Sequence, residues 1–479
     1  MIMKKKRTIS VLINRIFRSF FLLILPVTVV WEVRADYPIF FQRYTADPTG
    51  MVHNDRLYLY CSHDRYEPGT RYIMNDVTCI STDDMKNWTD HGEIFHAKDS
   101  KWGAKLTWAP HVVYRNEKFY LYYGDGMECI GVAVSDSPTG PFVDANNAPL
   151  VNKNTPGVGR GGGQWGMWCF DPGVLIDDDG QAYMYFGGSA EMNSRVIKLK
   201  ENMVEVEGPA IALNTPGFFE AAFMHKYNGK YYLSYAGHHF GTPANIEYVV
   251  SNDPITGFDN PGLAMKNPPV NDDFNNHHSI FEFNGDWYIA YHNRQLAHDN
   301  GMPDKTAREF MRSIAIDRLN HNPDGTIKEV MPTAAGLKQI KYINPYILNE
   351  AETMARSFGG INTADHKGGR HVNEIRNNSW ILVCGVDFGR NGAKSVEMNV
   401  ASATVGGLIE LRLDSPEGEI IGRVRVGNTG GWENWTTRTA NLTSSLNGIH
   451  DLYFVFRGDV GVLMTFDHWK FSDNILINK

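Results

Sequence analysis

Cysteine is scarce in this sequence and poorly placed for metal binding. The five residues, at 61, 79, 129, 169 and 384, lack zinc-ligand spacing, and their odd number leaves at least one thiol outside any internal disulfide. The spacing gives no metal site, and no function is placed on these cysteines. Long apolar runs are missing as well. The stretch Phe20–Val30 (FFLLILPVTVV) is too short to span a bilayer comfortably. Positive charge is thin beyond the N-terminal segment. With residues 1–35 set aside, 39 Lys and Arg face 53 Asp and Glu, a net charge of about −14. That balance excludes nucleic acid as the natural partner, because such affinity rests on Lys and Arg at phosphates. Hydrophobic content of 42% with 21% charged residues excludes a disordered chain.

Residues 1–35 read as a secretory signal, with a retained N-terminal anchor as the competing reading. Lys4, Lys5, Lys6, Arg7, Arg15 and Arg18 form a basic leader before the apolar run, and Val33-Arg34-Ala35 offers a cleavage site. No cysteine follows the run, so a lipid anchor is not expected. The protein is expected to be secreted or periplasmic. What is abundant is aromatic: 11 Trp, 22 Tyr and 25 Phe. Flat rings pack sheets, and they also meet the apolar faces of sugars.

A tyrosine-rich hairpin recurs along the chain. It reads HNDRLYLY at 53–60, RNEKFYLY at 115–122, DDGQAYMYF at 178–186, YNGKYYLSY at 227–235 and FNGDWYIAY at 283–291. Asn, Asp and Gly form the turns, and the strands alternate as half-buried strands do. Between Tyr58, Tyr120, Tyr183, Tyr232 and Tyr288 the steps are 62, 63, 49 and 56 residues. A unit of that length opened by a hairpin is one propeller blade, so residues 37–335 are predicted to form an all-β, five-bladed β-propeller. A sandwich with chance hairpins is the competing reading. The rhythm stops within 333–349, and residues 346–479 carry strands such as SVEMNVAS and DLYFVF, sized for one β-sandwich (jelly-roll) domain.

Eleven or twelve residues before the landmark tyrosines stand Asp47, Trp108-Ala109-Pro110, Asp171, Glu220 and His277. The innermost strand of each blade lines the axis, so these positions are expected to converge at one end of it. Three carboxylates about an aromatic pocket suit glycoside hydrolysis, in which one acid protonates the leaving oxygen and another activates water. Each acid taken singly also reads as a turn or surface residue. Trp108, Trp168 and Phe219 are candidates for the pocket wall.

With these residues in view, the propeller resembles glycoside hydrolase family 43, and most of all its arabinoxylan arabinofuranohydrolases. The likeness lies in NWTDHG (87–92), WAP (108–110), WCFDPGVLIDDDG (168–180), FFEAAFMHKYNGKYYLSY (218–235) and NNHHS (275–279). The resemblance implies an inverting hydrolase with Asp47 as general base, Glu220 as general acid and Asp171 orienting Glu220 and tuning its pKa. It implies a subsite arginine at Arg312, with Arg308 as competitor, and an axial metal ion at His277. The substrate would be plant cell-wall polysaccharide: arabinoxylan, xylan or arabinan. β-Xylosidase or arabinan-cleaving activity on the same fold, and a propeller that only binds glycans, are the alternatives.

The C-terminal segment resembles a family 6 carbohydrate-binding module, through EAE (350–352), VDFG (386–389), TGGWENW (429–435) and FDHWKF (466–471). That likeness implies structural calcium on Glu350, Glu352 and Asp467, and sugar stacking on Trp380 and Trp435. Thr465 stands where the family usually has Asn. Glycan binding and simple buttressing of the propeller are both open readings of this module.

Overall fold

The computed structural model describes residues 38–476 apart from 68–69, 242–243, 272–274, 303–304 and 334–335. The leader read at 1–35 lies outside the described residues. The first 290 or so described residues make five antiparallel sheets, each winding outward from an inner strand. The inner strands are Thr45–His53, Trp108–Arg115, Gly173–Ile176, Phe218–Tyr227 and His278–Phe283. These are the five blades.

Turn chemistry closes four of the opening hairpins with two-residue loops. Asn54-Asp55, Asn116-Glu117, Asn228-Gly229 and Asn284-Gly285 all have positive φ. Such turns match the twist of the strands they join, and Asn is the side chain that tolerates that conformation best. The third blade uses the longer turn 177–181 between Ile176 and Ala182.

Packing between blades forms a ring of separate apolar interfaces. Met51 and Val77 of the first blade meet Val112 and Leu121 of the second. The ring closes where Leu57 and Leu59 of the first blade meet Phe281 and Ile316 of the fifth. Gly50 is required there, because a Cβ would lie 2.3 Å from the Phe281 ring. Tyrosines of the hairpin strands also have a polar task. Tyr60, Tyr122, Tyr185 and Tyr232 donate their hydroxyls to the carbonyls of Pro138, Met203, Pro254 and Gly325, each in an outer turn of the following blade. Each side chain buries a large ring and satisfies its hydroxyl, which phenylalanine could not do.

Residues 349–472 form two facing sheets. One contains Asn362–His366, Gly369–Arg376, Val462–Ser472, Ala393–Ser402 and Gly431–Leu446; the other contains Arg356–Phe358, Trp380–Asp387, Ile449–Gly458, Gly407–Leu413 and Ile420–Val426. Val372, Met398, Leu411, Phe454, Phe466 and Trp469 fill the space between them. The sandwich is docked on the first blade. Thr353–Met354 adds a short strand to the outer edge at Trp88–Thr89. Asn87 exchanges hydrogen bonds with the Cys384 backbone, and buried Asp90 takes Arg43, Arg370 and the Thr363 hydroxyl.

Candidate active site

The inner strands of the first, second and fourth blades each break register near the axis, around Asp47, Ala109 and Ala221. These residues, and Asp171 just ahead of the third inner strand, all lie in the left-handed region, with φ of 51°, 45°, 61° and 50°. Holding a non-glycine residue there costs roughly 1–3 kcal/mol, and the bulge re-aims a side chain toward the axis. The structure corrects the register expected from the sequence. Asp47 is itself the bulged residue and Asp171 takes the same left-handed backbone just ahead of its strand, whereas Glu220 and Trp108 each precede a bulged residue.

Each bulge turns a backbone amide out of its ladder, and a side chain from the preceding blade takes it. The Asp47 amide donates to His292 Nδ1 at 3.2 Å, the Ala109 amide to Ser62 Oγ at 2.9 Å, and the Ala221 amide to Asp171 Oδ2 at 3.0 Å. Asp171 therefore holds the backbone next to Glu220. His292 Nε2 lies 3.1 Å from the Asn275 carbonyl, which sets it as the donor nitrogen and leaves Nδ1 free to accept.

All three acids are buried: Asp47 is 4%, Asp171 5% and Glu220 7% exposed. Their surroundings differ. Asp47 Oδ1 accepts from Arg312 Nη1 at 2.7 Å and Oδ2 from Ser62 Oγ at 2.7 Å. Burial would raise its pKa, but Arg312, with His292 and His277, holds the carboxyl well below the ordinary range. Asp171 moves the other way. Burial, then the charges of Glu220 and Asp47, push it well above the ordinary range, against the pull of the Ala221 amide and Arg312. The two aspartates are thus pushed in opposite directions, Asp47 toward its ionised form and Asp171 toward its protonated form.

Arg312 ties the halves together. Its Nε and Nη2 grip Asp64 at 2.8 Å each, while Nη1 bonds both Asp47 and, at 3.0 Å, Asn275 Oδ1. Asn275 Nδ2 donates onward to Glu220 Oε1 at 2.8 Å. Arg308, the alternative in the sequence, bonds the Met302 carbonyl and does not line the pocket. That pocket encloses about 700 Å³, with Trp108, Trp168, Phe170 and Phe219 along its wall and Arg71, Tyr72 and Met127 around the rest. Trp108 is fixed by its Nε1 bond to the Tyr72 carbonyl at 3.1 Å. His277 stands between the acids, its Nδ1 3.8 Å from Asp47 Oδ1 and 3.8 Å from Asp171 Oδ2, beyond hydrogen-bond reach. Burial lowers its pKa to about 4, so it is a neutral imidazole.

Sequence reasoning missed Asp64, Asn275, Ser62 and His292. Asn275 lay inside the quoted NNHHS, and its short spacing to His277 was the available signal. Asp64 directly follows the second strand of the first blade, and His292 lies near the end of the fifth blade's second strand, four residues beyond Tyr288 as Ser62 is beyond Tyr58; what either meets depends on the neighbouring blade.

In the C-terminal module the three expected carboxylates lie near one another, but only two of them close on one point. Among the described residues, the donor side chains that close within 4.8 Å of one another are Glu350, Asp467 and His468. Glu352 is outside that trio, and His468 joins it. Glu352 is 5% exposed, with a buried Oε2 that has no hydrogen-bond partner. Burial, then Glu350 and Asp467, push it up to about 9. An orphaned carboxylate oxygen beside two more carboxylates fits a divalent cation held by oxygen. Trp380 and Trp435 lie on different sheets. Trp380 is 8% exposed beneath a stacked Phe358, whereas Trp435 packs against His366 and His371. Thr465 donates to the Trp432 carbonyl at 2.6 Å, so its hydroxyl is already engaged.

Comparison with known proteins agrees with this geometry. Residues 36–327 match Glycosyl hydrolases family 43, and residues 350–473 match the Carbohydrate binding module (family 6). The chain is 37% identical over 494 residues to the arabinoxylan arabinofuranohydrolase of Bacillus subtilis (strain 168), covering 93% of this chain and 94% of that one. A crystal structure of a glycoside hydrolase family 43 arabinoxylan arabinofuranohydrolase from Bacillus subtilis, in complex with cellotetraose, superposes with a TM-score of 0.84 at 36% identity, covering 92% and 99% of the two chains. An α-L-arabinofuranosidase structure from Clostridium thermocellum ATCC 27405 is 57% identical, with a TM-score of 0.54, over 64% of this chain and 99% of that one.

Proposed function

The chain belongs to glycosyl hydrolases family 43, and from that premise we propose that it removes α-L-arabinofuranosyl side groups from arabinoxylan with inversion. The observation that carries the reading is the placement of the acids: Asp47 paired with Arg312 and Glu220 held by Asn275 across one aromatic pocket. Asp47, kept ionised by Arg312, takes a proton from water as that water attacks the anomeric carbon. Glu220 gives its proton to the glycosidic oxygen as the bond to the anomeric carbon breaks. Asp171 bonds the Ala221 amide and so fixes the backbone that carries Glu220. Asn275 and Arg312 hold Glu220 and Asp47 in one hydrogen-bonded frame. An inverting pair stands about 6.5–9.5 Å apart to admit the water, against about 5–5.5 Å for a retaining pair.

A structural calcium ion is part of the same reading: Glu350, Glu352 and Asp467 would supply its oxygens and tie the two ends of the module together. At His277, a neutral imidazole could hold an axial ion whose other ligands are waters. The basic leader and acidic remainder support export, with plant cell-wall polysaccharide as the partner of the mature protein.

The deciding experiment incubates the protein with wheat arabinoxylan, linear xylan and arabinan and identifies the sugars released. Free arabinose from arabinoxylan supports the reading, and proton NMR of the first product should show the inverted anomer. Xylose from linear xylan, or arabinose from arabinan alone, would replace the substrate. A retained anomer would overturn the mechanism.

A further inference from the structure

The aromatic wall does not stop at the pocket. Trp165 is 58% exposed at the mouth, stacked on Trp168 with ring centroids 5.9 Å apart and planes tilted by 28°. Trp168 meets Phe219 edge-on at 5.6 Å, and Phe219 directly precedes Glu220. A continuous path of rings thus runs from the acid outward to solvent.

The loop beneath Trp165 is rich in glycine, yet two buried side chains hold it. Asn193, 0% exposed, donates to the carbonyls of Gly162, Gly166 and Gly188 and accepts the Gly162 amide at 2.7 Å. Arg195, 7% exposed, donates to the carbonyls of Gly157 and Val158. Gly161 is needed for that approach: its φ is +65°, and a Cβ would fall 2.4 Å from Asn193 Oδ1. A large indole kept in water on a loop clamped this firmly is preorganised for a ligand, because little ordering entropy remains to be lost on binding.

Which part of the substrate meets it follows from the direction of the path. The sugar to be released sits at the base, against Asp47 and Arg312. The leaving group departs on the Glu220 side, where Phe219, Trp168 and Trp165 follow one another to the mouth. Resting on the functional reading above, we propose that Trp165 is a platform for the polysaccharide main chain, stacking on the apolar face of a pyranose next to the branch point.

The test compares Trp165→Ala and Trp165→Phe with the unaltered protein on two substrates: an arabinosylated xylo-oligosaccharide, and methyl α-L-arabinofuranoside, which has no main chain. Trp165→Ala should lower kcat/KM on the oligosaccharide about tenfold, equal to about 1.4 kcal/mol, chiefly through KM. The methyl glycoside should be turned over nearly as before, and phenylalanine should restore most of the loss. Equal losses on both substrates would mean that the ring only supports the loop, and no loss on the oligosaccharide would mean that nothing stacks there; either overturns the assignment. If the unaltered protein cleaves another linkage, the substrate reading fails. The same variants on that oligosaccharide and its methyl glycoside then judge Trp165 independently.

Discussion

Replacing Arg312 with methionine would remove one charge and keep most of the side-chain volume. Arg312 is 1% exposed, and its Nη1 lies 2.7 Å from Asp47 Oδ1. At an effective dielectric of about 20, opposite charges at that distance attract by roughly 6 kcal/mol. A pH unit corresponds to about 1.36 kcal/mol. Even a third of that attraction, once lost, would raise the pH at which Asp47 protonates by about 1.5 units. The sign follows from the role: Asp47 must be ionised to accept a proton, and loss of the neighbouring cation favours its protonated form. The acid limb of kcat/KM should therefore move to higher pH by at least that amount, with the alkaline side unchanged. Arg312→Met also strands Asp47 and Asp64 without their buried partner, a loss of about 3–5 kcal/mol in stability, so folding is checked by circular dichroism and thermal melting. Arg312→Lys serves as the second variant. It keeps the charge but loses the fork on Asp64, and should lose stability while holding the acid limb in place. A folded methionine variant with an unmoved acid limb would refute the argument, as would a lysine variant whose limb rises equally.

Glu220→Gln should reduce hydrolysis of an unactivated arabinosyl side chain by at least about 100-fold while the melting temperature stays the same; retention of a tenth of the activity would remove Glu220 from the acid role. His225 is 4% exposed with both ring nitrogens unpartnered, and burial, then His321, lower its pKa to about 3. Because the unfolded chain takes up this proton first, stability should be complete above about pH 6.5 and fall as pH drops toward 4, by up to roughly 3 kcal/mol from this group. Urea midpoints against pH should show a shallower slope for His225→Phe, and an identical slope would discount the effect. Chelation with EGTA should lower the melting temperature by several degrees through loss of linked binding energy and leave turnover of a small soluble glycoside intact. Glu352→Gln should be insensitive to the chelator; a variant as sensitive as the unaltered chain would exclude Glu352 from the site.

The sequence by itself determined the repeat, and the repeat determined the architecture. A propeller blade is a local object: a two-residue Asn turn and an alternating tyrosine strand specify a hairpin without help from distant residues. Equal spacing from those hairpins was enough to bring Asp47, Trp108, Asp171, Glu220 and His277 to one end of the axis. Tertiary structure decided what spacing could not express. The bulges displace Glu220 by one residue from the shared register, because a left-handed residue inserts itself without changing composition. Asp64, Ser62 and His292 joined the site from neighbouring strands, since their roles depend on which blade closes against which. The opposite tuning of Asp47 and Asp171 arose the same way, because both are buried aspartates near the axis, and Arg312 bonded to Asp47, against the charges of Glu220 and Asp47 beside Asp171, separates their proton affinities. In the module, the family resemblance offered Trp380 for sugar stacking, yet it is 8% exposed and stacked against Phe358; exposure belongs to the assembled surface and is not written in any one strand.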